Sequence, residues 1–377
     1  MIEFLTPGSF DKGGISRYTR YQISALRDVY GEEGVRVYSV LGPSHDDLET
    51  PVAIDWWSGG ITLTHKLAFV GKTMTEAIRL RPRVVLAAHV NLSGLGGLLA
   101  KVIGARSVVN VYGMEVWSGL RRDAAWGLKW SDLVISDCHF TRDYIQGERL
   151  RSPAARTETL WDCVDTDRFS PGAPRREILH TYGIPDPDKH VNVLTLGRMT
   201  SEAAYKGYER LLKAFVIAAS HSSSLRLVYA GSGNLVPELK RRAAAAGIAE
   251  RVTFTGSIAE DHLADVYRAS HVFSLVSHRA LGSGEGIPLT PLEAAACGKP
   301  ILVGNQDGSA EAVVEGSNGF ILDPFDLQTH GERLLQLAND ARLRQVMGDA
   351  ARQRILEFHD YRIFRDRLAA MLSRFLA

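Results

Sequence analysis

Apolar runs and amphipathic stretches alternate along most of the chain. The first run, IEFLTP, is followed by a glycine-containing loop, GSFDKGG, and by an amphipathic stretch that ends at Gly31. The runs are rich in Val, Ile and Leu without alternating polar positions, which is typical of parallel strands buried on both faces. The repeated order of strand, turn and helix predicts a doubly wound α/β sheet. Its other predicted strands are VRVYSVLG at 35–42, VVLAAHV at 84–90, SVVNVY at 107–112 and LVISDC at 133–138.

A second sheet is predicted after residue 190. Residues 163–190 are dense in Pro, Asp and Gly, which is typical of a linker between domains together with the approach to the second domain. The alternation then resumes, and from about Asp326 the chain is predicted to be helical to its end. The segment 43–75, with its Trp56-Trp57 pair, receives no assignment. The predicted helices between the new strands cover residues 206–220, 235–246 and 260–270.

The stretch EGIPLTPLEAAACGKPILVG, residues 285–304, predicts a loop, a short helix and a buried strand. Pro288 suits the start of a helix, where its missing N–H is no loss, and Cys297-Gly298 suits the end. Apolar residues at helical spacing lie between these positions.

Two acids accompany this predicted helix, Glu285 in the entry loop and Glu293 within it. The backbone N–H groups of Leu289 and Thr290 point out of the helix N-terminus, which attracts anions. Carboxylates accept hydrogen bonds from hydroxyl groups, so acids beside a phosphate-binding helix end suit a sugar nucleotide. Taken alone, a loop acid and a solvated helix residue explain the two glutamates more simply.

Length and composition narrow the class of protein. A chain of 377 residues is long enough for two domains, and 45% hydrophobic and 23% charged residues are typical of globular proteins. The net charge of +1 does not indicate a nucleic-acid partner. Cys138, Cys163 and Cys297 form no metal-ligand spacing and leave an odd thiol, which favours a reducing compartment. The N-terminus lacks a signal-peptide pattern and no apolar stretch approaches ~18 residues, so we expect a cytoplasmic protein without a membrane span.

EGIPLTPLEAAACGKPI resembles, almost residue for residue, the signature of a large family of retaining glycosyltransferases, in which seven residues separate two glutamates. This is the glycosyltransferase family 4-like group, also called glycosyl transferases group 1. DGSAEAVVEGSNGFILDP is similar to the family's next segment, with Gly308 and Glu311 in the usual places. The resemblance covers nearly the whole chain and is strongest from Gly197 to Pro324.

The resemblance implies the GT-B architecture, an α/β fold in which two Rossmann-like, doubly wound domains face a cleft. We expect an acceptor-binding domain at residues 1–170 and a donor-binding domain at residues 171–358. A C-terminal helix, residues 359–377, is expected to cross back onto the first domain.

The resemblance also implies roles for the residues of the signature. Glu285 is expected to bind the transferred sugar and Glu293 the ribose of the donor. The N–H groups of Leu289 and Thr290 are expected to bind its phosphate.

Two basic residues and two glycine turns are further candidates. Arg198 follows the predicted strand VNVLTLG and Lys206 opens the next predicted helix; the family uses such a pair for the pyrophosphate, although the interval MTSEAAY is longer here. Gly231 lies in the turn AGSG, and Ser257 and Ile258 in TGSI, where the family's backbone contacts the nucleotide base. Taken alone, these residues are surface charges and short turns.

The first domain offers fewer candidates. Lys12-Gly13-Gly14 follows the first strand, where glycine permits a close backbone approach to a phosphate, and a tight turn explains it equally well. The resemblance implies that Gly13 and Gly14 touch the donor phosphate and border the acceptor. His89 ends a predicted strand where the family commonly has a histidine. Tyr112 stands where a second family histidine is usual. Because tyrosine cannot carry a positive charge, the contact that this histidine makes with the donor sugar is not carried over to Tyr112.

Asp165-Thr166-Asp167 superficially resembles the metal-binding Asp-x-Asp of other glycosyltransferases. It lies in the segment that matches the family's interdomain region, and no acid or histidine cluster completes a metal shell. We therefore expect neither a metal nor another cofactor.

The stretch LRRDAAWGLKW, residues 120–130, combines basic residues with Trp126 and Trp130. An amphipathic helix with both tryptophans in the core is the favoured interpretation. Peripheral contact with a membrane surface is the alternative.

The sequence therefore predicts a retaining, metal-independent glycosyltransferase in polysaccharide, glycolipid or glycoconjugate biosynthesis. Its donor is a UDP, GDP or ADP sugar, and its acceptor is a hydroxyl of a sugar, a lipid-linked or a small molecule. Because no covalent nucleophile is evident, front-face transfer is favoured, with Glu285, Arg198, Lys206 and His89 as catalytic candidates. A sugar-nucleotide epimerase, a phosphorylase on the same fold and a non-catalytic nucleotide-sugar-binding protein are the alternatives. A dinucleotide dehydrogenase is disfavoured because GSFDKGG lacks G-x-G-x-x-G spacing.

Overall fold

The computed structural model describes residues 1–11, 13–44, 52–151, 156–280 and 283–376. Lys12 of the predicted glycine loop lies outside the described residues. Contacts divide the chain into two compact units: unit 1 is Met1–Cys163 with Tyr361–Ala377, and unit 2 is Val164–Asp360.

Unit 1 is built on a seven-stranded parallel sheet. Its strands are β1 (Ile2–Thr6), β2 (Val35–Ser39), β3 (Trp56–Trp57), β4 (Val84–Ala87), β5 (Arg106–Val111), β6 (Leu133–Ser136) and β7 (Arg156–Thr159). Their order is β3-β2-β1-β4-β5-β6-β7, so the order reverses between β1 and β4. β1, β4 and β6 are buried throughout, as expected for strands covered on both faces.

The helices of unit 1 up to residue 163 lie between these strands. They are α1 (Gly14–Tyr30), α2 (Leu63–Leu80), α3 (Ser93–Ile103), α4 (Met114–Trp117), α5 (Arg122–Trp130) and α6 (His139–Gly147). α1 ends before Gly31, whose φ of 76° is a left-handed conformation that suits glycine, and the predicted end of this helix is confirmed.

Two elements lie in the segment that received no assignment. β3 is only two residues long and pairs Trp56 with Tyr38 of β2, which is too short a run for periodicity to reveal. α2 buries Phe69, Thr73 and Ala77, but further apolar residues on its exposed face obscure the period of the buried ones.

Unit 2 contains a six-stranded parallel sheet. Its strands are β8 (Val191–Leu196), β9 (Leu225–Ala230), β10 (Val252–Gly256), β11 (Val272–Leu275), β12 (Ile301–Gly304) and β13 (Gly319–Leu322). The order β10-β9-β8-β11-β12-β13 reverses between β8 and β11, as in the dinucleotide-binding Rossmann fold. Its helices are α7 (Arg176–Tyr182), α8 (Tyr208–Ala219), α9 (Val236–Ala245), α10 (Leu263–Arg268), α11 (Leu289–Ala296), α12 (Leu327–Asn339) and α13 (Ala341–Phe358).

The elements of unit 2 differ from the prediction in detail. Residues 163–190, predicted as a linker and the approach to the second domain, also contain the unpredicted helix α7, whose Ile178 and Leu179 are buried. The helix predicted from Lys206 begins at Tyr208, because Ser201–Lys206 forms a 3₁₀ turn that ends at Gly207, whose φ is 84°. The helical segment predicted from about Asp326 to the end is confirmed, and it consists of separate helices, with Asp340 capping the start of α13.

The last helix, α14 (Tyr361–Leu376), belongs to unit 1. It packs on α1 and buries Phe364, Leu368 and Leu372 in the core of that unit. The predicted return of the C-terminal helix to the first domain is confirmed. Among the described residues, no helix has the length and apolar character needed to cross a membrane. All three cysteines are buried thiols that form no disulfide.

Candidate functional site

The strand order of unit 2 indicates where a ligand would bind. Open α/β sheets bind ligands beyond the carboxyl ends of their strands, at the point where the strand order reverses. In unit 2 this point lies between β8 and β11. Arg198 follows β8, and the segment that contains Glu285 follows β11. Both predicted residues therefore lie at the reversal.

The structure brings Lys206 and Glu285 together as an ion pair. Their side chains are 18% and 15% exposed, so the pair is half-buried rather than fully solvated. Tyr205 hydrogen-bonds to the Glu285 carboxylate, and burial followed by the charge of Glu285 raises the pKa of the Tyr205 phenol. Arg198 is exposed and its positive charge acts in the opposite direction on the pKa of Tyr205. One cation, Lys206, and one phenol, Tyr205, thus contact the Glu285 carboxylate.

Asp307 holds the loop that carries Glu285. Its buried carboxylate accepts hydrogen bonds from the backbone N–H of Glu285 at 3.0 Å, from Ser277 Oγ at 2.8 Å and from the Ser309 N–H at 3.0 Å. The backbone N–H of Gly308 in turn donates to the Glu285 carbonyl at 3.1 Å. Burial, and after it the charge of Glu285, raises the pKa of Asp307. Asp307 therefore fixes the position of Glu285 relative to β11 and β12.

A second group of contacts holds the turn that carries Lys206. Both the His278 backbone N–H and Arg210 Nη2 donate to the Tyr205 carbonyl at 3.0 Å. Arg210 also contacts His278 Nδ1 at 2.8 Å. The same Nδ1 lies 3.0 Å from the Tyr205 carbonyl oxygen, and burial, followed by the nearby Arg210 charge, lowers the pKa of His278. The turn before Gly207 is thus tied to the loop after β11.

Helix α11 supplies Glu293 and an open N-terminus. Glu293 is 1% exposed and accepts a hydrogen bond from Tyr267 Oη at 2.6 Å. Pro288, at the N-cap, makes no side-chain hydrogen bond to the first turn. The N–H groups of Leu289 and Thr290 therefore have no partner within the helix. Such an end stabilises a bound anion.

The glycine turns after β9 and β10 lie next to each other. The Gly231 N–H donates to the Gly256 carbonyl at 2.9 Å, and Ser232 Oγ lies 3.0 Å from Ser257 Oγ. A Cβ on Gly231 would lie 2.1 Å from the Gly197 carbonyl, so only glycine permits this approach to the loop after β8. Ser257 is exposed and Ile258 is 9% exposed. The candidate residues of unit 2 therefore collect along one edge of its sheet.

Gly13 and Gly14 lie at the corresponding edge of unit 1. Gly13 caps α1, and its N–H donates to Asp11 Oδ1 at 2.6 Å. Asp11 Oδ2 accepts from Ser16 Oγ at 2.6 Å. The carboxylate of Asp11 thus already occupies part of the positive end of α1, which weakens its attraction for a second anion. The role predicted for this loop stays a prediction.

His89 and Tyr112 lie close together beyond β4 and β5. Their ring centroids are 6.1 Å apart. His89 Nδ1 accepts from the Asn91 N–H at 3.1 Å and burial lowers the pKa of His89, so the neutral ring carries its proton on Nε2. Tyr112 is 8% exposed and its hydroxyl donates to the Ala88 carbonyl at 2.8 Å. Tyr112 is thus part of the core of unit 1, and His89 keeps its Nε2–H as a hydrogen-bond donor.

The Asp-x-Asp sequence is part of a local turn. Asp165 Oδ1 accepts from the backbone N–H groups of Asp167 and Arg168, both at 3.1 Å. Thr166 Oγ1 donates to Asp360 Oδ2. No group of three His, Cys, Asp or Glu in the part of the chain that the structure describes could hold a metal ion. The expectation that no metal is required stays a prediction.

The helix predicted within residues 120–130 is confirmed as α5, but the predicted burial of its tryptophans is wrong. Trp126 is 38% exposed and Trp130 is 67% exposed, so neither tryptophan is a core residue. Trp130 lies at the last position of α5, where the neighbouring Lys129 Nζ is 5.7 Å from its ring.

Comparison with known proteins establishes the family. The family described as glycosyl transferases group 1 matches residues 183–354. A GDP-mannose-dependent alpha-(1-6)-phosphatidylinositol monomannoside mannosyltransferase of Mycolicibacterium smegmatis is 31% identical over 286 residues, 74% of this chain and 72% of the relative. D-inositol 3-phosphate glycosyltransferase of Rhodococcus opacus is 35% identical over 313 residues, 77% of this chain and 68% of the relative. This chain belongs to the group 1 glycosyl transferases.

Solved structures agree with this assignment at the level of the fold. Anabaena HepE in complex with UDP has a TM-score of 0.80 and 17% identity, with 99% of each chain covered. Sucrose-phosphate synthase of Thermosynechococcus elongatus has a TM-score of 0.76 and 16% identity, with 100% of this chain and 99% of that chain covered. The predicted GT-B fold is confirmed. The predicted glycosyltransferase function is supported by the family and by its relatives. The comparisons do not support the epimerase, phosphorylase or non-catalytic alternatives.

The sequence reasoning missed Tyr205 and Asp307. Tyr205 directly precedes a candidate lysine, and Asp307 follows the buried strand β12, at the edge where ligand-binding groups collect. That position after a strand is the signal that could have identified Asp307.

Proposed function

We propose that this glycosyltransferase transfers a sugar from a nucleotide-diphosphate sugar to an acceptor hydroxyl with retention of configuration and without a metal ion. The observation that carries the proposal is the ion pair of Lys206 with Glu285, which lies at the reversal of strand order in unit 2. A carboxylate held beside a lysine and a tyrosine, with Arg198 following the neighbouring strand β8, suits a ligand that has both hydroxyl groups and phosphates.

The donor diphosphate is neutralised by Arg198, Lys206 and the open end of α11. Lys206 has three N–H donors, so it can keep its contact with Glu285 while it donates to a phosphate oxygen. Arg198 supplies the second positive charge. Leu289 and Thr290 donate backbone N–H groups, as helix N-termini do for phosphates. These groups replace the charge that a metal ion supplies in other transferases, which is why no metal is proposed.

Glu285 binds hydroxyl groups of the transferred sugar and Glu293 binds the ribose. Glu285 is positioned by Asp307, and Glu293 by Tyr267. The backbone near Gly231, Ser257 and Ile258 contacts the base.

Transfer proceeds on the face of the sugar from which the phosphate leaves. The bond from the anomeric carbon to the phosphate oxygen breaks as the acceptor oxygen forms its bond to the same carbon. The acceptor proton passes to the leaving phosphate. Arg198 and Lys206 stabilise the charge that develops there, which is the electrostatic contribution that a fixed cation makes to a transition state.

The acceptor is proposed to bind through unit 1, near Gly14 and His89. The protonated Nε2 of His89 can donate a hydrogen bond to a sugar or acceptor oxygen. A lipid-linked acceptor would place the protein at the cytoplasmic face of a membrane. The names of both relatives described above contain inositol, so inositol phosphate and a mannosylated phosphatidylinositol are the first acceptors to test.

Donor binding is tested by thermal shift with UDP, GDP, ADP and their sugar conjugates in EDTA. GDP-mannose comes first because the Mycolicibacterium relative is named as GDP-mannose-dependent. A ligand at about a hundredfold over its Kd stabilises the fold by ~2.7 kcal/mol. The Glu293→Ala variant should show no nucleotide-induced rise in Tm, whereas the Glu332→Ala variant on α12 should show the same rise as the wild type. No rise with any of these nucleotides would contradict the donor assignment.

Retention and metal independence need product analysis. Proton NMR of the first product should show the anomeric configuration of the donor sugar, and EDTA should leave the rate unchanged. An inverted anomer would refute front-face transfer, and a rate restored only by added Mg²⁺ or Mn²⁺ would refute metal independence.

A further inference from the structure

Helix α2 has two apolar faces, of which only one is covered. Phe69, Thr73 and Ala77 are buried. On another side, Leu63 and Leu67 are 72% and 63% exposed, and Ile78, further along the helix, is 53% exposed. A surface helix usually buries its apolar stripe and presents charged residues to water. The exposed stripe of α2 therefore contributes nothing to the core.

Helices α3 and α5 continue this apolar surface. α2 packs beside α3, and α3 packs beside α5. A Cβ on Gly97 of α3 would lie 3.1 Å from the ring of Trp126, so these two helices are in close contact. Val102 is 54% exposed on α3, and Trp130 is 67% exposed on α5. We call the exposed faces of these three helices the α2–α3–α5 surface.

The charge on these helices is strongly one-sided. Within their bounds lie six Lys or Arg residues and two acids, although the whole chain has a net charge of only +1. Glu76 pairs with Lys72 and Arg79, and Asp123 pairs with Arg121. The remaining cations have no carboxylate partner among the described residues; they are Lys66, Lys101, Arg122 and Lys129.

We propose that the α2–α3–α5 surface docks this protein onto an anionic lipid bilayer. Exposed aliphatic side chains enter the boundary between headgroups and acyl chains, and the lysines beside them extend to lipid phosphates. Tryptophan is favoured at this depth because its ring is apolar and its N–H is polar. Nucleic acid would match the charge but leave the aliphatic stripe in water. The inference deepens the proposed function, because it places the enzyme where a lipid-linked acceptor would be.

Docking is tested by co-sedimentation with vesicles of phosphatidylcholine alone and of phosphatidylcholine with an equal part of phosphatidylglycerol. The wild-type protein should sediment with the anionic vesicles and not with the neutral ones. Leu63→Ser with Leu67→Ser should weaken partitioning about tenfold or more, since both side chains leave water on docking. The double variant Lys66→Glu with Lys101→Glu should also weaken partitioning onto the vesicles and make that partitioning less dependent on salt concentration.

A matched control is Val346→Ser on α13, whose side chain is 57% exposed and lies in unit 2. It should partition like the wild type. Equal partitioning of the Leu63/Leu67 variant and the wild type would overturn the inference. So would size-exclusion chromatography in which that variant loses self-association, because the occupant would then be a second copy of the chain.

The nucleotide thermal shift separates this inference from the proposed function. The docking variants should keep the nucleotide-induced rise in Tm, because their changes lie in unit 1 and the donor residues lie in unit 2. Nucleotide binding without vesicle binding would overturn the docking surface alone. Vesicle binding without nucleotide binding would support docking and contradict the donor assignment.

Discussion

At the scale of single residues, Asp307 joins stability to the proposed chemistry. Its carboxylate accepts three hydrogen bonds in a buried site, one of them from the backbone of Glu285. A buried donor that loses its acceptor costs ~1–3 kcal/mol, so this residue stabilises unit 2 and also fixes a candidate catalytic side chain.

Asp307→Ala should therefore lower both stability and kcat. We expect a loss of ~1–3 kcal/mol in the free energy of unfolding, from the donors left unpaired, and a fall in kcat of about tenfold or more because Glu285 is displaced. Urea denaturation and steady-state kinetics well below the Tm measure the two effects separately. Asp326→Ala, which removes an exposed N-cap of α12, should lower stability by ~1 kcal/mol with unchanged kcat. A normal kcat in Asp307→Ala would show that Asp307 is only structural.

Glu3 is a buried acid outside the candidate site. It is 2% exposed, and neither carboxyl oxygen has a hydrogen-bond partner among the described residues. Burial, followed by the charge of Glu76, raises the pKa of Glu3 from 4.5 to about 8. Between these values the folded chain keeps a proton that the unfolded chain releases, so stability falls as pH rises and levels off above about 8.

Glu3→Gln should flatten this pH dependence. Glutamine stays neutral, so the Tm of the variant should change less than that of the wild type between pH 4.5 and about 8. Scanning calorimetry at several pH values measures the difference. Glu33→Gln, at a side chain that is 90% exposed, should follow the wild-type profile. Parallel profiles for wild type and Glu3→Gln would mean that Glu3 is ionised in the folded protein.

At the scale of elements, the N-terminus of α11 offers a test in which stability and binding change in opposite directions. A carboxylate near a helix N-terminus stabilises the helix by ~0.3–1 kcal/mol. The same carboxylate would repel the diphosphate proposed to bind there.

Thr290→Glu should keep or raise the Tm of the ligand-free protein and weaken nucleotide binding about tenfold or more, because like charges repel strongly near a protein surface. Thr290→Gln, which has the same length without the charge, should bind much more tightly than Thr290→Glu. Isothermal titration calorimetry with the nucleotide found by thermal shift provides the affinities. Equal affinities of the two variants would place the diphosphate elsewhere.

At the scale of the whole molecule, the chain folds as two units, and its last helix returns to the first of them. Leu368 of α14 is fully buried with the residues of α1 in the core of unit 1. Residues separated by most of the chain length therefore share one core, whereas the candidate donor residues all belong to unit 2.

Leu368→Ala should destabilise unit 1 by ~2–5 kcal/mol because it leaves a cavity. The nucleotide-induced rise in Tm should remain, since the proposed donor residues lie in the other unit. Leu337→Ala is the matched substitution, at a fully buried position on α12 of unit 2. If calorimetry resolves two unfolding transitions, each variant should lower the midpoint temperature of a different transition. A lowered midpoint of the same transition in both variants would mean that the two units unfold together.

Much of the fold could be predicted because parallel strands that are buried on both faces occur in the sequence as short apolar runs. β1, β4, β6 and β8 all coincide with such runs. The predictions failed where local pattern and tertiary contact disagree. α7 lies in a Pro- and Asp-rich segment, yet burial of two apolar side chains against unit 2 makes it a helix.

The sequence by itself determined the fold class, the family and the chemical types at the candidate donor site, because strand periodicity and the signature around Glu285 and Glu293 are local in the chain. Only the tertiary structure decided which groups contact them. Asp307 reaches the Glu285 backbone, and Tyr205 reaches its carboxylate, because the strand order places the ends of β8, β11 and β12 side by side. Exposure of the apolar stripe on α2 was likewise a tertiary result, since hydrophobicity along a helix does not reveal which of two apolar faces the core will cover.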